Sequence, residues 1–313
     1  MMELLHPSLR QAQAALREDF DLAQPFRHLV LEPFFDAEVA NQLIQQFPAF
    51  ERGNARNENG ELGGKSTFEQ MKRLGGAYAQ VDQLIQSEDF RQWLSAVTGI
   101  PALLYDPDYF GGGTHENRPG QELDPHVDFN RHPERGWHRR LNLIVYLNDQ
   151  WHTEWGGQLQ LHKDPRSDHD QVRSIEPFFN RAVLFETHDH SWHGFPPILA
   201  QPDQAISRKS IALYFYTEAR PARDHDLDHS TIYVERPLSE RFAPGRTLDQ
   251  ADVAELQRLL ARRDQHLQRI YGDVAHLTTE LNQVRGALAA SRLERLARLA
   301  HRGLRRMGLV GRR

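Results

Sequence analysis

The chain has 313 residues, of which 39% are hydrophobic and 26% charged, with a net charge of −5 and no cysteine. That length suits one large domain or two modest ones, and the missing cysteines exclude disulfides and thiolate metal sites while fitting a reducing compartment. Met1 to Pro7 lacks a basic stretch leading into an apolar one, and no run of about 18 apolar residues occurs anywhere, so neither a signal peptide nor a membrane span is expected.

Residues 1–25 read as a polar amphipathic helix, and Arg27 to Phe35 as a strand running into a turn. Asp36 to Phe47 has helical spacing, with Asp36 as N-cap and Glu38 in the first turn. Arg52 to Ser66 is rich in glycine, asparagine and charge and predicts a mobile loop. Residues 79–98 predict one or two helices. A β-rich core follows, to about Thr217. It holds the apolar run Arg139 to Asn148, the glycine pair Gly156-Gly157 opening an alternating strand to His162, then Arg181 to Phe185 and Ser207 to Thr217. Short strands separated by turns, with no helical pattern among them, predict a sandwich or barrel.

Beyond Arg220 the chain turns charged and irregular. Val253, Leu260, Leu267, Val274, Leu281 and Leu288 then recur every seventh residue, with Leu256, Ile270, Leu277 and Val284 on the companion track, which Arg263 and Ser291 interrupt. This pattern predicts a coiled coil over 249–290, with Arg263 lowering stability while fixing register. From Arg285 onward nine arginines face the single Glu294, a local charge of +8 that leaves −13 on the rest. Residues 291–313 therefore read as a basic amphipathic helix suited to an anionic membrane surface more than to nucleic acid, and its lack of aromatic residues counts against both.

The chemistry-bearing residues lie in the β-rich core. His126 and Asp128 leave one face of a strand, and two imidazoles with one carboxylate are the ligands of a mononuclear non-haem Fe(II) site. His132 with Glu134 and His152 with Glu154 offer the same spacing, but Val127 and Phe129, expected to point away into a core, favour the first pair. The distal imidazole has three candidates: His188, His190 and His193. On Ser207 to Thr217, Ile211, Leu213 and Phe215 form an apolar face, so Arg208 and Ser210 point the other way, into the lumen. There Arg208 can take a carboxylate bidentately, which Lys209 cannot. Asn142 and Tyr146 share a face of their strand, and His115, after three glycines, is placed to touch substrate or co-substrate.

From about Arg27 to Thr217 the sequence resembles the bacterial prolyl-4-hydroxylase-like branch of the Fe(II)/2-oxoglutarate dioxygenases. The motifs are Pro125-His-Val-Asp-Phe129, Leu141 to Asn148, Trp155-Gly-Gly157, Val183-Leu-Phe185, Trp192-His-Gly194 and Arg208 to Tyr216. The resemblance implies a mainly β fold, a double-stranded β-helix (jelly roll) with supporting helices, here followed by a long C-terminal coiled-coil helix. It implies His193 as the distal ligand, Fe(II), 2-oxoglutarate and O2 as reactants with ascorbate as auxiliary reductant, and Asn142 and Tyr146 as further 2-oxoglutarate contacts. The implied reaction hydroxylates an organic substrate and releases succinate and CO2.

The expected substrate is a peptidyl or free amino acid such as proline, or a saccharide or glycolipid intermediate. The rival readings are a cupin-like metal-dependent isomerase or hydrolase, and a coiled-coil interaction protein with an inactive jelly roll. The expected organisation is an oxygenase domain over 1–225, a linker over 226–248, the coil and the basic tail. The chain is expected to be a cytoplasmic homo-oligomer, peripheral at the inner face of the membrane.

Overall fold

The computed structural model describes all residues except 57–61, 201–205, 222–226, 236–237, 239 and 307–313. It divides into two units, Met1–Arg236 and Pro237–Arg313.

The first unit begins with helices α1 (Pro7–Gln11) and α2 (Gln13–Leu22), then β1 (His28–Leu31) and α3 (Ala37–Gln45). The single helix expected over 1–25 is thus two, because Pro7 at the first helical position starts α1 and Ala12 leaves helical geometry between them (φ −102°, ψ 21°). Asp36 caps α3, accepting from the Glu38 amide at 2.9 Å. The segment expected to be a loop, 52–66, instead contains strands β2 (Asn54–Arg56) and β3 (Leu62–Phe68), paired antiparallel. Its glycines and polar residues hid an extended backbone that is stabilised by pairing with a neighbouring strand rather than by an apolar face.

Helices α4 (Gly76–Gln86) and α5 (Glu88–Thr98) follow. Apolar spacing builds α5: Phe90, Trp93, Leu94 and Val97 are buried on one side. Ser87 caps its N-terminus and Gly99, at φ +67°, ends it.

The remaining strands are β4 (Leu104–Tyr105), β5 (Gly113–Asn117), β6 (Leu123–Val127), β7 (His138–Tyr146), β8 (Leu159–His162), β9 (Val172–Ile175), β10 (Ala182–Glu186), β11 (Trp192–Phe195), β12 (Arg208–Thr217) and β13 (Ile232–Tyr233). They form an eight-stranded sheet in the order β1-β10-β7-β12-β5-β3-β2, with β4 also on β12, and a five-stranded sheet in the order β13-β6-β11-β8-β9. The mainly β, antiparallel two-sheet arrangement with helices is consistent with a jelly roll. Strand β9 escaped the sequence reading because three of its four residues are exposed. Strand β13 lies inside the segment expected to be a linker and pairs with β6, so the compact unit runs past residue 225 to Arg236.

Strand parity places the core. Leu141, Leu143, Val145, Leu184, Ile211, Leu213 and Phe215 pack in one cluster with Phe20, Leu43, Val81 and Trp93 of the helices. Asn142, Tyr146, Arg208 and Ser210 therefore leave the opposite face of the large sheet.

In the second unit, α6 (Gln250–Arg306) is one helix of 57 residues, about 85 Å long at ~1.5 Å per residue. Its start is closed by reciprocal bonds: Asp252 N–H donates to the Asp249 carboxylate at 2.8 Å, and Asp249 N–H donates to that of Asp252 at 3.1 Å. The expected coil and basic tail are continuous in this helix as far as Arg306; the end of the tail, 307–313, lies outside the described residues.

Candidate active site

His126, the penultimate residue of β6, lies directly opposite His193 on β11, and Asp128 follows one residue past the strand. The His126 and His193 rings are 4.3 Å apart between centroids. Nε2 of His126 lies 3.7 Å from Asp128 Oδ1, and Nε2 of His193 lies 3.4 Å from Asp128 Oδ2. One ligand atom from each of the three falls within 4.8 Å of the others.

Both imidazoles are fixed from behind. Nδ1 of His126 meets the Asp124 carbonyl at 2.9 Å, and Nδ1 of His193 meets the Ser191 carbonyl at 2.9 Å. These partners take the Nδ1 protons and leave both Nε2 lone pairs facing the cluster, the tautomer a metal requires. Burial, then the neighbouring His193, lowers the His126 pKa to about 3, and burial also lowers that of His193. Burial works against ionised Asp128, but Arg139, His193 and His126 outweigh it and hold the carboxyl well below its usual range. Two neutral nitrogens and one anionic oxygen at this spacing fit a divalent, octahedral metal with one face left open.

His188 and His190 do not join the cluster. The His188 ring packs edge-on to Phe26, 5.8 Å between centroids, and its Nδ1 accepts from the exposed His190 amide. His188 lines a different cleft, of about 950 Å³, together with Arg27, Arg140 and Glu186. That cleft is larger than the metal cavity but contains none of the three ligands.

The metal cavity, about 250 Å³, is lined by the triad and also by Arg208, Ser210, Asn142 and His115. Arg208 is buried; its Nε donates to the Gly157 carbonyl at 2.8 Å and its Nη2 to the Tyr146 hydroxyl at 3.1 Å. The Phe195 and Tyr146 rings lie 4.3 and 4.9 Å from the guanidinium carbon. Lys209 points elsewhere, donating to the Ser207 hydroxyl at 2.6 Å with Glu116 at 3.5 Å. His115 is held neutral, its pKa lowered to about 3 by burial and then by Lys65, and its buried Nε2 has no hydrogen-bond partner.

Asn142 also lines the cavity, with its side-chain amide engaged at both its nitrogen and its oxygen. Its amide donates to Asp128 Oδ2 at 2.7 Å, and its own oxygen accepts from Arg139 Nε at 2.9 Å. Sequence reasoning missed Arg139, which is 1% exposed and stands 3.1 Å from Asp128 Oδ2. Its guanidinium is layered between Tyr214 at 3.5 Å and Phe129 at 4.6 Å. Phe129, expected to turn into the core, instead lines the cavity as one of those layers. Tyr146 reaches the cavity region only through its bond to Arg208. Lys65 and Tyr233 complete part of the rim, and Tyr233 stacks on His126 at 5.2 Å.

Residues 112–216 match the model of the 2OG-Fe(II) oxygenase superfamily. The chain is 29% identical over 167 residues to mouse prolyl 3-hydroxylase OGFOD1, covering 48% of this chain and 24% of that protein. It is 23% identical over 222 residues to the Xenopus laevis protein of the same name, covering 66% of this chain and 38% of that one. The chain therefore spans well under half the length of these relatives. Among solved structures, a Trichoplax adhaerens prolyl hydroxylase in complex with a hypoxia inducible factor peptide fragment superposes with TM-score 0.48 at 17% identity, covering 70% of this chain and 96% of that one. A Pseudomonas putida prolyl-4-hydroxylase gives 0.42 at 18% identity, covering 66% and 99%. Residues 112–216 are thus similar to 2OG-Fe(II) oxygenases, and within them His126, Asp128 and His193 could together hold a metal ion.

Proposed function

We propose that the whole chain is an Fe(II)- and 2-oxoglutarate-dependent dioxygenase that hydroxylates proline, free or within a peptide. The observation that carries this reading is the convergence of His126, Asp128, His193 and the buried Arg208 on one cavity. The similarity to two prolyl 3-hydroxylases supports the choice of substrate.

The triad would hold the metal, which supplies the oxygen chemistry coupling oxidation of 2-oxoglutarate to hydroxylation. The remaining roles belong to the chain. Arg208 offers a guanidinium to the far carboxylate of the co-substrate, with Ser210, 2% exposed, as a neighbouring hydroxyl. Tyr146 and Phe195 flank that guanidinium and keep water from it, which strengthens the ion pair. Asn142 and Arg139 both engage Asp128 Oδ2, which fixes the carboxylate and keeps it ionised.

Succinate release measured with and without Fe(II), against free proline, prolyl peptides and nucleotide sugars, tests the proposal. The expected result is Fe(II)-dependent succinate stimulated by a proline substrate, which gains one oxygen atom. Substrate conversion without 2-oxoglutarate would move the chain to the isomerase or hydrolase class. Absence of succinate under every condition would leave an interaction protein, and stimulation by a sugar alone would make the substrate a saccharide.

For the second unit, the heptad repeat supports self-association and the arginine-rich end supports docking at an anionic membrane surface on the cytoplasmic side.

A further inference from the structure

Lys65 belongs to the cavity by construction of the sheet. On the large sheet, Arg208 of β12 pairs with Asn117 of β5, and Asn117 pairs with Lys65 of β3. Residues directly opposite on neighbouring strands share a face, so all three side chains leave toward the metal side, and all three line the cavity. Lys65 keeps contact with solvent, and desolvation nonetheless lowers its pKa, opposed by Asp128 and Glu69.

The other permanent cations of the cavity are matched. Arg139 faces Asp128, and Arg208 faces the far carboxylate of 2-oxoglutarate on the reading above. Among the described residues Lys65 has no carboxylate within ion-pair distance and no hydrogen-bond acceptor. Glu69 bonds the Gly111 amide at 2.9 Å, and Glu122, also on the cavity wall, is engaged in an interaction of its own. Lys65 and Arg208 do not serve one carboxylate. Their backbones are two strands apart, roughly 10 Å, and Arg208 turns its fork the other way, to Gly157 and Tyr146. A cavity holding the metal, its three ligands and a doubly charged co-substrate thus has one ammonium without an ion-pair partner among the described residues, and a substrate carboxylate can supply the counter-charge.

We propose that Lys65 selects the substrate by charge, receiving an acidic side chain that lies beside the hydroxylated proline of a peptide. This inference rests on the prolyl reading above. Lys65 is exposed at the rim of the cavity, where solvent screening limits the strength of a contact while its charge still selects between acidic and basic partners.

The test uses the full chain loaded with Mn(II) and 2-oxoglutarate, which binds without turning over, and proline peptides whose neighbouring residues are Glu, Gln or Lys. Binding is followed by calorimetry. The Glu peptide is expected to bind about threefold more tightly than its Gln counterpart, in line with one solvent-screened charge-assisted contact. Lys65→Ala should abolish that difference and Lys65→Glu should invert it in favour of the Lys peptide, while 2-oxoglutarate affinity stays within twofold. An acidic preference that survives Lys65→Ala would overturn the proposal. So would peptides bound with no charge preference, which leaves the prolyl reading intact. A parallel loss of 2-oxoglutarate affinity would assign Lys65 to the co-substrate instead. If no proline peptide binds at all, the prolyl reading fails and takes this inference with it.

Discussion

At the scale of single residues, the site separates groups that bind metal from groups that hold those groups in place. Removing any ligand leaves two donors, and removing Asp128 also leaves the buried Arg139 without its carboxylate. His126→Ala, Asp128→Ala and His193→Ala are each expected to abolish Fe(II)-dependent 2-oxoglutarate turnover with an unchanged far-ultraviolet circular dichroism spectrum. His188→Ala should retain turnover, because that ring lies in a different cleft; loss of activity there would show that the distal ligand has been misassigned. Arg208→Ala should raise the KM for 2-oxoglutarate at least tenfold, since losing one partner of a buried charge pair typically costs a few kcal/mol. Lys209→Ala should change it by less than twofold, its ammonium being tied to Ser207 and Glu116. The two mutants exchanging behaviour would mean that β12 is out of register by one residue. The His-x-Asp pair and the parity of Arg208 were legible because a period of two fixes which side chains share a face. Arg139 and Lys65 were not, since their roles arise from neighbours distant in sequence, Asn142 and Phe129 excepted for Arg139. Asn142 was legible as a lumen residue but not in its partner, because parity gives a direction and not a contact.

At the scale of elements, close approach between strands explains the glycines ahead of His115. Gly113 has φ +89°, and a Cβ there would stand 2.2 Å from the Phe68 carbonyl oxygen of β3. Any side chain at this position pushes β3 from β5, and with it Lys65 from the cavity wall. Gly113→Ala is expected to destabilise the chain by about 2–3 kcal/mol, combining left-handed strain with a backbone clash. Gly120→Ala is the matched control: φ is +84° but nothing lies within 4 Å, so about 1 kcal/mol is expected. Urea unfolding of the two variants measures the difference, and equal losses would show that strain alone matters at Gly113. The same strands mark the limit of sequence reading. Strands β7, β10 and β12 announce themselves because one face is packed by helices. Strands β9 and β13 carry one buried apolar side chain between them, and β2 and β3 are largely polar or glycine in sequence; pairing with neighbours defines all four, and pairing leaves no periodic trace in composition.

At the scale of the whole molecule, the unexplained quantity is the apolar surface of α6. Val253, Leu260, Leu267, Ile270, Val274, Leu277, Leu281, Val284 and Leu288 lie between 41% and 61% exposed, all on the seam predicted from the seven-residue repeat. Completing the burial of each recovers on the order of 1 kcal/mol, half the value for a fully exposed side chain. Two such helices would together recover on the order of 20 kcal/mol, beyond the roughly 4–15 kcal/mol that association costs. Arg263 reduces the gain, and it restricts the registers in which a pair can form. A chain truncated after Ala243 is therefore expected to fall to a lower mass by light scattering. Leu267→Asp with Val274→Asp in the full chain should do the same without removing the basic end. The nine arginines from Arg285 onward should give the full chain binding to anionic vesicles that weakens from 50 to 500 mM salt, since exposed charges are screened over about 10 Å at 0.1 M. The double aspartate variant separates the two properties. If pairing and membrane docking are independent, it loses mass but still floats with anionic vesicles at low salt. Loss of both together would show that docking needs the arginines of two chains at once, and unchanged mass would remove the coiled-coil reading.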